Sequence, residues 1–148
     1  MTEQVSLSQR ALNIVLVEDD DGDAKALQRA FQKAKIANPL LRVRDGVEAL
    51  EFLRGQMEIT PPKKFVVLCD INMPRMNGLE LLREIRNDPH LCKTLIFMLT
   101  TSDDESDIET AYRNNVAGYI VKSRAGHMFL DLMDTLNAYW RVVELPDI

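Results

Sequence analysis

The sequence predicts an α/β domain: a five-stranded parallel sheet, doubly wound, with helices on both faces. Five short, nearly unbroken apolar runs punctuate the chain, as strands buried on both faces require. Between them lie segments whose apolar residues recur every three or four positions, the spacing of one helical face. The length of 148 residues suits a single domain, enough to bury roughly 70% of the unfolded surface.

The elements follow in order. "NIVLV" (13–17) reads as the first strand. Ala24, Leu27, Phe31 and Ala34 then mark the buried stripe of a helix. "LLRVR" (40–44) is the second strand, and Val47, Leu50 and Leu53 carry a shorter helix that stops near Gly55. "FVVLC" (65–69) is the third strand, followed by a helix through Leu81, Leu82 and Ile85. "LIFML" (95–99) is the fourth. Next comes "SDDE" (102–105), which has the form of a capping box with Ser102 as cap and Glu105 reaching back. Ile108, Ala111 and Tyr112 form the expected buried stripe of that helix. "GYIV" (118–121) is the fifth strand, and Phe129, Leu132, Met133, Leu136, Trp140 and Val143 carry a last helix. Asn38-Pro39, Pro61-Pro62, Asn77-Gly78 and Asp88-Pro89 are the turn signals between elements.

Composition narrows the function. A net charge of −5 argues against a nucleic-acid partner, since phosphate backbones need clustered Lys and Arg. No apolar run approaches the ~20 residues of a membrane span, and "MTEQVSLSQR" holds no apolar signal core, so a cytoplasmic protein is expected. Residues 1–11 read as a polar arm outside the alternation. Cys69 and Cys92 lie in or beside apolar runs without C-x-x-C spacing, and both are expected to be reduced core thiols.

Doubly wound sheets bind ligands just beyond the carboxyl ends of their strands. After the first strand come Glu18, Asp19, Asp20, Asp21 and Asp23; after the third, Asp70; after the fourth, Thr100, Thr101 and Ser102; after the fifth, Lys122. The second strand ends in Arg44 and Asp45, expected on a sheet edge away from the site. Asp20, Asp21 and Asp23 suit the solvated first turn of a helix, where carboxylates meet the positive end of the dipole. Glu18 and Asp19 follow the strand directly. Two carboxylates about 4 Å apart repel by ~4 kcal/mol at an effective dielectric of 20, and Asp70 adds to that. A hard divalent cation such as Mg²⁺ relieves the repulsion. A calcium EF-hand does not fit: counted from Asp19, the required glycine is Ala24 and the required glutamate is Ala30.

Asp70 alone could be a turn residue, Thr100 a helix cap and Lys122 a solvated cation. Together with Glu18 and Asp19 they form a set suited to phosphoryl chemistry. A carboxylate can attack phosphorus to form an acyl phosphate. That reaction needs a cation for the phosphoryl oxygens, a hydroxyl donor and a second positive charge.

These residues resemble the receiver domain of two-component response regulators. The resemblance runs from about residue 12 to 143 and rests on "NIVLVEDD", "DINMPRMNGLELL", "FMLTTS" and "GYIVKS" in family order and spacing. It implies the flavodoxin-like receiver fold, with the arm 1–11 before it and a short tail, 144–148, after it. It implies that Asp70 accepts a phosphoryl group from a phosphohistidine on a sensor histidine kinase. Glu18, Asp19, Asp70 and the backbone carbonyl of Asn72 would hold Mg²⁺. Thr100 and Lys122 would contact the phosphoryl oxygens, and Tyr119 falls where the family keeps an aromatic switch residue acting with Thr100. Three positions depart from the usual pattern: Glu18 where Asp is commonest, Thr101 where a small residue is usual, and Ser123 where many members have a cis proline. A cis non-proline bond costs ~3 kcal/mol. Ser102 and Asn72 flank the site where family members tune dephosphorylation.

A finer resemblance, through "RVRDGVEALEFLRG", "LTTSDDESDI" and "AYWRVVELP", is to stand-alone receivers that serve phytochrome-type histidine kinases. No output domain is expected, so the signal would leave by a surface. Tyr139, Trp140 and Val142 widen the apolar face of the last helix, and a homodimer through that helix and the fifth strand is the expected assembly. The module would not be an enzyme, beyond slow self-dephosphorylation. A relay intermediate or phosphate sink is the alternative within signalling. A Mg²⁺-dependent phosphohydrolase is disfavoured, because the general acid two residues after the nucleophile would be Asn72.

Overall fold

The structure is a computed structural model that describes residues 13–33, 35, 38–122 and 138. Among these residues, strands and helices alternate: β1 (Asn13–Val17), α1 (Asp21–Lys33), β2 (Leu40–Val43), α2 (Gly46–Leu53), β3 (Phe65–Cys69), α3 (Gly78–Asn87), β4 (Leu95–Thr100), α4 (Glu105–Arg113) and β5 (Gly118–Val121). The strands form one parallel five-stranded sheet in the order β2-β1-β3-β4-β5. The predicted doubly wound α/β fold is therefore the observed one.

Alternation along each strand serves two cores, because successive side chains point to opposite faces. Ile14, Leu16, Val66, Leu68 and Leu99 meet Ala24, Leu27 and Phe31 of α1. Val15, Val17, Val67, Cys69, Ile96 and Met98 share the other core with Phe52, Leu81, Leu82 and Ile85 of α2 and α3. Residues such as Phe52, Leu81 and Ile85 are fully buried, and each contributes roughly 2–3 kcal/mol of transfer free energy.

Some local expectations change. β2 ends at Val43 because the Arg44 N–H turns away to Glu48 Oε1 (3.2 Å). β4 continues through Thr100, paired with Val121. Helix α4 is capped by Asp104, not Ser102: the Asp104 carboxylate accepts from the Ser106 N–H at 2.8 Å, and the helix starts at Glu105. Ser102 instead donates its hydroxyl to Asp107. The α4 stripe is also narrower than predicted. Ala111 is buried and Ile108 half-buried, whereas Tyr112, one helical step round from Ala111, is 52% exposed. Cys69 is a buried free thiol as expected, but Cys92 is exposed, because it lies in the turn after α3 rather than in β4. Ala34, Ser123 and with it the Lys122–Ser123 bond, the arm 1–11, the tail 144–148, and all of the last helix except Ala138 lie outside the described residues.

Two glycines fix the loops under the strand ends. A Cβ on Gly78 would stand 2.2 Å from the Asp70 carbonyl oxygen, so α3 can start this close to β3 only on glycine. A Cβ on Gly46 would meet the Met76 side chain at 2.7 Å. The same contact region is tied by Asp45, which caps α2 through Glu48 N–H (2.9 Å) and takes a bidentate hydrogen bond from Arg75 (2.8 and 3.1 Å). Arg75 sits at φ 63°, a left-handed conformation that costs about 1 kcal/mol or more for a non-glycine residue. The doubled contact to Asp45 holds the side chain in place.

Candidate functional site

Strand order assembles the site. β1 and β3 are neighbours although β2 lies between them in sequence, so the winding reverses there and leaves a crevice at their carboxyl ends. The register pairs Val17 with Cys69, which sets Glu18 beside Asp70 as the first residues past each strand. Backbone bonds prolong the ladder by one step on each side: Asp70 N–H donates to the Val17 carbonyl (3.0 Å) and Glu18 N–H to that of Val43 (3.0 Å).

Glu18, Asp19 and Asp70 each offer a carboxylate oxygen, and these oxygens lie within 4.8 Å of one another. Glu18 (3% exposed) and Asp70 (9%) are buried, so little water screens their repulsion. The Asp70 Oδ1 accepts from the Ile71 N–H at 2.7 Å, which fixes one carboxylate oxygen. Lys122 enters from the end of β5. Its Nζ is 2.9 Å from Glu18 Oε1, 3.5 Å from Asp23 Oδ2 and 3.9 Å from Asp70 Oδ2.

Burial pushes the Glu18 carboxyl above the usual range, because the hydrogen bond and attraction of Lys122 only partly counter it and Asp70 adds repulsion. Burial also disfavours the charge on Lys122. There the bond to Glu18 and the attraction of Glu18, Asp70 and Asp23 together prevail and raise its pKa. The lysine meets three carboxylates, which outweigh its burial, whereas the glutamate meets one cation, which does not outweigh its own. One ammonium among these acids leaves the cluster anionic. The donors are all oxygens, which suits a hard divalent cation, so the residues fit a metal of the Mg²⁺ or Mn²⁺ type.

Thr100 closes β4, fully buried, and its Oγ1 accepts from the Ser102 N–H at 3.3 Å. Tyr119 lies on the neighbouring strand, packed against the core, and its hydroxyl donates to the Ser102 carbonyl at 2.9 Å. Burial raises the phenol's pKa, which keeps it a donor. Asn72 is exposed on the loop that leaves Asp70. Glu18, Asp19, Asp70 and Lys122 thus form one cluster at the carboxyl edge, Thr100 ends β4 beside it, and Tyr119, within β5, is joined to Thr100 through Ser102.

Two contributors escaped the sequence reading. Asp23, expected from its position to be a solvated first-turn acid, faces Lys122. The end of β2 is not remote: Arg42 donates Nε to the Glu18 carbonyl (2.8 Å) and Nη1 to Asp21 (2.7 Å), and Arg44 also reaches Asp21 (3.2 Å). These arginines anchor the acidic loop, and the Arg42 hydrogen bond holds Asp21 below the usual carboxylate range. A charged residue inside an otherwise apolar run was the available signal for Arg42.

A parallel sheet whose switch-point crevice holds three carboxylates and a lysine, with a buried threonine on the next strand, defines an acidic strand-end site of the doubly wound α/β class. The chain belongs to the response regulator receiver domain family, whose pattern matches residues 14–133. It is 33% identical over 135 residues to response regulator Rcp1 of Synechocystis, covering 90% of this chain and 92% of that one. The Mn²⁺-bound crystal structure of Rcp1 superposes with a TM-score of 0.77 over 91% of this chain and 98% of that one. The phosphorylated cyanobacterial phytochrome response regulator RcpA is 32% identical, with a TM-score of 0.79 and the same coverage. Response regulator RPA3017, in red light signalling of R. palustris, is 28% identical with a TM-score of 0.82 over 93% of this chain and 100% of that one. Receiver domains bind Mg²⁺ or Mn²⁺ at an acidic cluster, and the cluster found here is of that kind.

Proposed function

We propose that this protein takes a phosphoryl group onto Asp70 from the phosphohistidine of a phytochrome-type sensor histidine kinase, and signals by protein–protein contact. The observation that carries the reading is the convergence of Asp70, Glu18, Asp19 and Lys122 from three strands. The phytochrome link is supported by the relatives named above as phytochrome or red-light regulators.

In the proposed transfer an Asp70 oxygen attacks phosphorus and a P–O bond forms. The P–N bond to the donor imidazole breaks, and its electron pair stays on that nitrogen. The hydrogen bond from Ile71 N–H holds Oδ1, which leaves Oδ2, the oxygen facing Lys122, as the nucleophile. Glu18, Asp19, Asp70 and the Asn72 backbone carbonyl would hold Mg²⁺, which when bound neutralises charge on the phosphoryl oxygens. The Lys122 ammonium and the Thr100 hydroxyl supply the remaining donors to those oxygens. Tyr119, bonded to the loop that follows Thr100, is the proposed switch residue. The protein acts as an acceptor that loses the group slowly, not as an enzyme with turnover. The proposed receiver spans residues 12–143 after the arm 1–11, and the donor implies a cytoplasmic location. Assembly through β5 and the last helix remains part of the proposal, with β5 at the open edge of the sheet.

The test is to incubate the protein with Mg²⁺ and acetyl phosphate and weigh it intact beside Asp70→Asn. One added phosphoryl group on the wild type alone supports the reading. No gain on the wild type, from acetyl phosphate or from a phosphorylated kinase, would overturn it.

A further inference from the structure

Ser102 ties together three elements. Its N–H donates to Thr100 Oγ1 at the end of β4 (3.3 Å), its carbonyl accepts from Tyr119 on β5 (2.9 Å), and its hydroxyl donates to Asp107 Oδ2 on α4 (2.7 Å). The last contact is the shortest of the three and comes from a carboxylate that the proposed phosphoryl chemistry does not use. We propose that Asp107 is a positioning residue that acts through Ser102 to orient the Thr100 hydroxyl.

The chain of bonds has a direction. With one Thr100 lone pair engaged by the Ser102 amide, the hydroxyl keeps its proton for donation, which is what a phosphoryl oxygen on Asp70 requires. The amide stays in place only if Ser102 is held. Asp107 holds it by a charge-assisted hydrogen bond, stronger than one to a neutral acceptor. Tyr119 holds it from the opposite side. Among the described residues Ala111 is the buried residue of α4, and the Asp107–Ser102 bond joins the first turn of that helix to the site.

The competing explanation is that Asp107 merely places negative charge at the positive end of the α4 dipole. Substitutions separate the two. Asp107→Asn removes the charge but keeps an oxygen that can accept from Ser102. Ser102→Ala keeps the charge and removes the bond.

The inference rests on Asp70 being the phosphoacceptor, and the measurement is the initial rate of phosphoryl uptake from sub-saturating acetyl phosphate, read by intact mass at fixed Mg²⁺. Asp107→Ala and Ser102→Ala should each slow uptake by about two- to tenfold, the range one net hydrogen bond converts to. The double variant should be no slower than either single one, Asp107→Asn should fall between wild type and Asp107→Ala because its oxygen still accepts but without the charge, and the Mg²⁺ affinity of all four should be unchanged. If Asp107→Asn is as slow as Asp107→Ala while Ser102→Ala is normal, or if the two losses multiply in the double variant, the positioning role is overturned. A wild type that takes up no phosphoryl group would overturn the phosphoacceptor reading itself, and this inference with it.

Discussion

Asp45 and Glu18 are both buried acids, yet folding moves them in opposite directions. Burial alone would raise Asp45, but the Arg75 hydrogen bonds and the Glu48 and Val47 amides outweigh it and leave the carboxyl below its ordinary 3.8. A depressed folded pKa contributes stability above the unfolded value, and that stability is lost as pH falls through the folded pKa. Glu18 is the reverse case: its folded carboxyl titrates above its ordinary 4.5, so ionising it costs stability as pH rises through that range. Asp45→Ala should therefore destabilise the protein by about 1–2 kcal/mol at pH 7, mostly through the lost α2 cap, because Arg75 is largely exposed and its pairing is screened. Asp45→Asn should lose less, and its deficit against wild type should vanish once the pH is well below 3.8. Urea unfolding at pH 7 and at a pH below the depressed folded pKa of Asp45 checks both statements; a deficit that persists at that acid end would mean the carboxylate charge is not its source.

Helix α3 ends in a cation that holds other elements in place. The Arg86 guanidinium donates to four backbone carbonyls: Asn114 (2.9 Å), Cys92 (2.9 Å), Thr94 (2.8 Å) and Asn115 (2.7 Å). It thus joins the end of α3, the approach to β4 and the turn between α4 and β5, at the edge of the sheet opposite the acidic cluster. Burial lowers its pKa, but not enough to discharge an arginine. Arg86→Ala should cost about 3 kcal/mol, since the carbonyls lose a planar donor that water cannot replace at all four positions. Arg86→Lys should recover less than half of it, because one ammonium lacks the fork geometry. Chemical denaturation of both variants checks this, and full recovery by lysine would mean charge rather than geometry is what matters. The sequence read α3 correctly from Leu81, Leu82 and Ile85, but nothing in it marked Arg86, whose partners are backbone atoms up to 29 residues away. The misassigned cap of α4 has a similar origin. In "SDDE" both Ser102 and Asp104 can cap, and the choice depends on where β4 releases the chain and where Asp107 stands.

At the scale of the whole molecule, the anionic cluster is a point of stored repulsion that a cation can release. A ligand that binds only the folded state at a hundredfold its Kd stabilises by about 2.7 kcal/mol, or roughly 5–10 °C in Tm for a chain of this size. Mg²⁺ or Mn²⁺ should raise the Tm of the wild type by that order, and Glu18→Gln should lose most of the rise. A Tm indifferent to both ions at millimolar concentration would count against metal binding by Glu18, Asp19 and Asp70. The fold was legible because parallel strands buried on both faces must read as apolar runs, and candidate site residues could be named because ligands bind at strand ends. By itself the sequence determined the alternation of elements and the two-sided burial, and it put forward Glu18, Asp19, Asp70, Thr100 and Lys122 as strand-end candidates, with Tyr119 added by the family resemblance. Only the tertiary structure decided that Asp23 faces Lys122, that Arg42 anchors the Glu18 backbone and that Asp107 reaches Ser102. Those contacts depend on side-chain directions where separate elements meet, and hydrophobic periodicity carries no information about them.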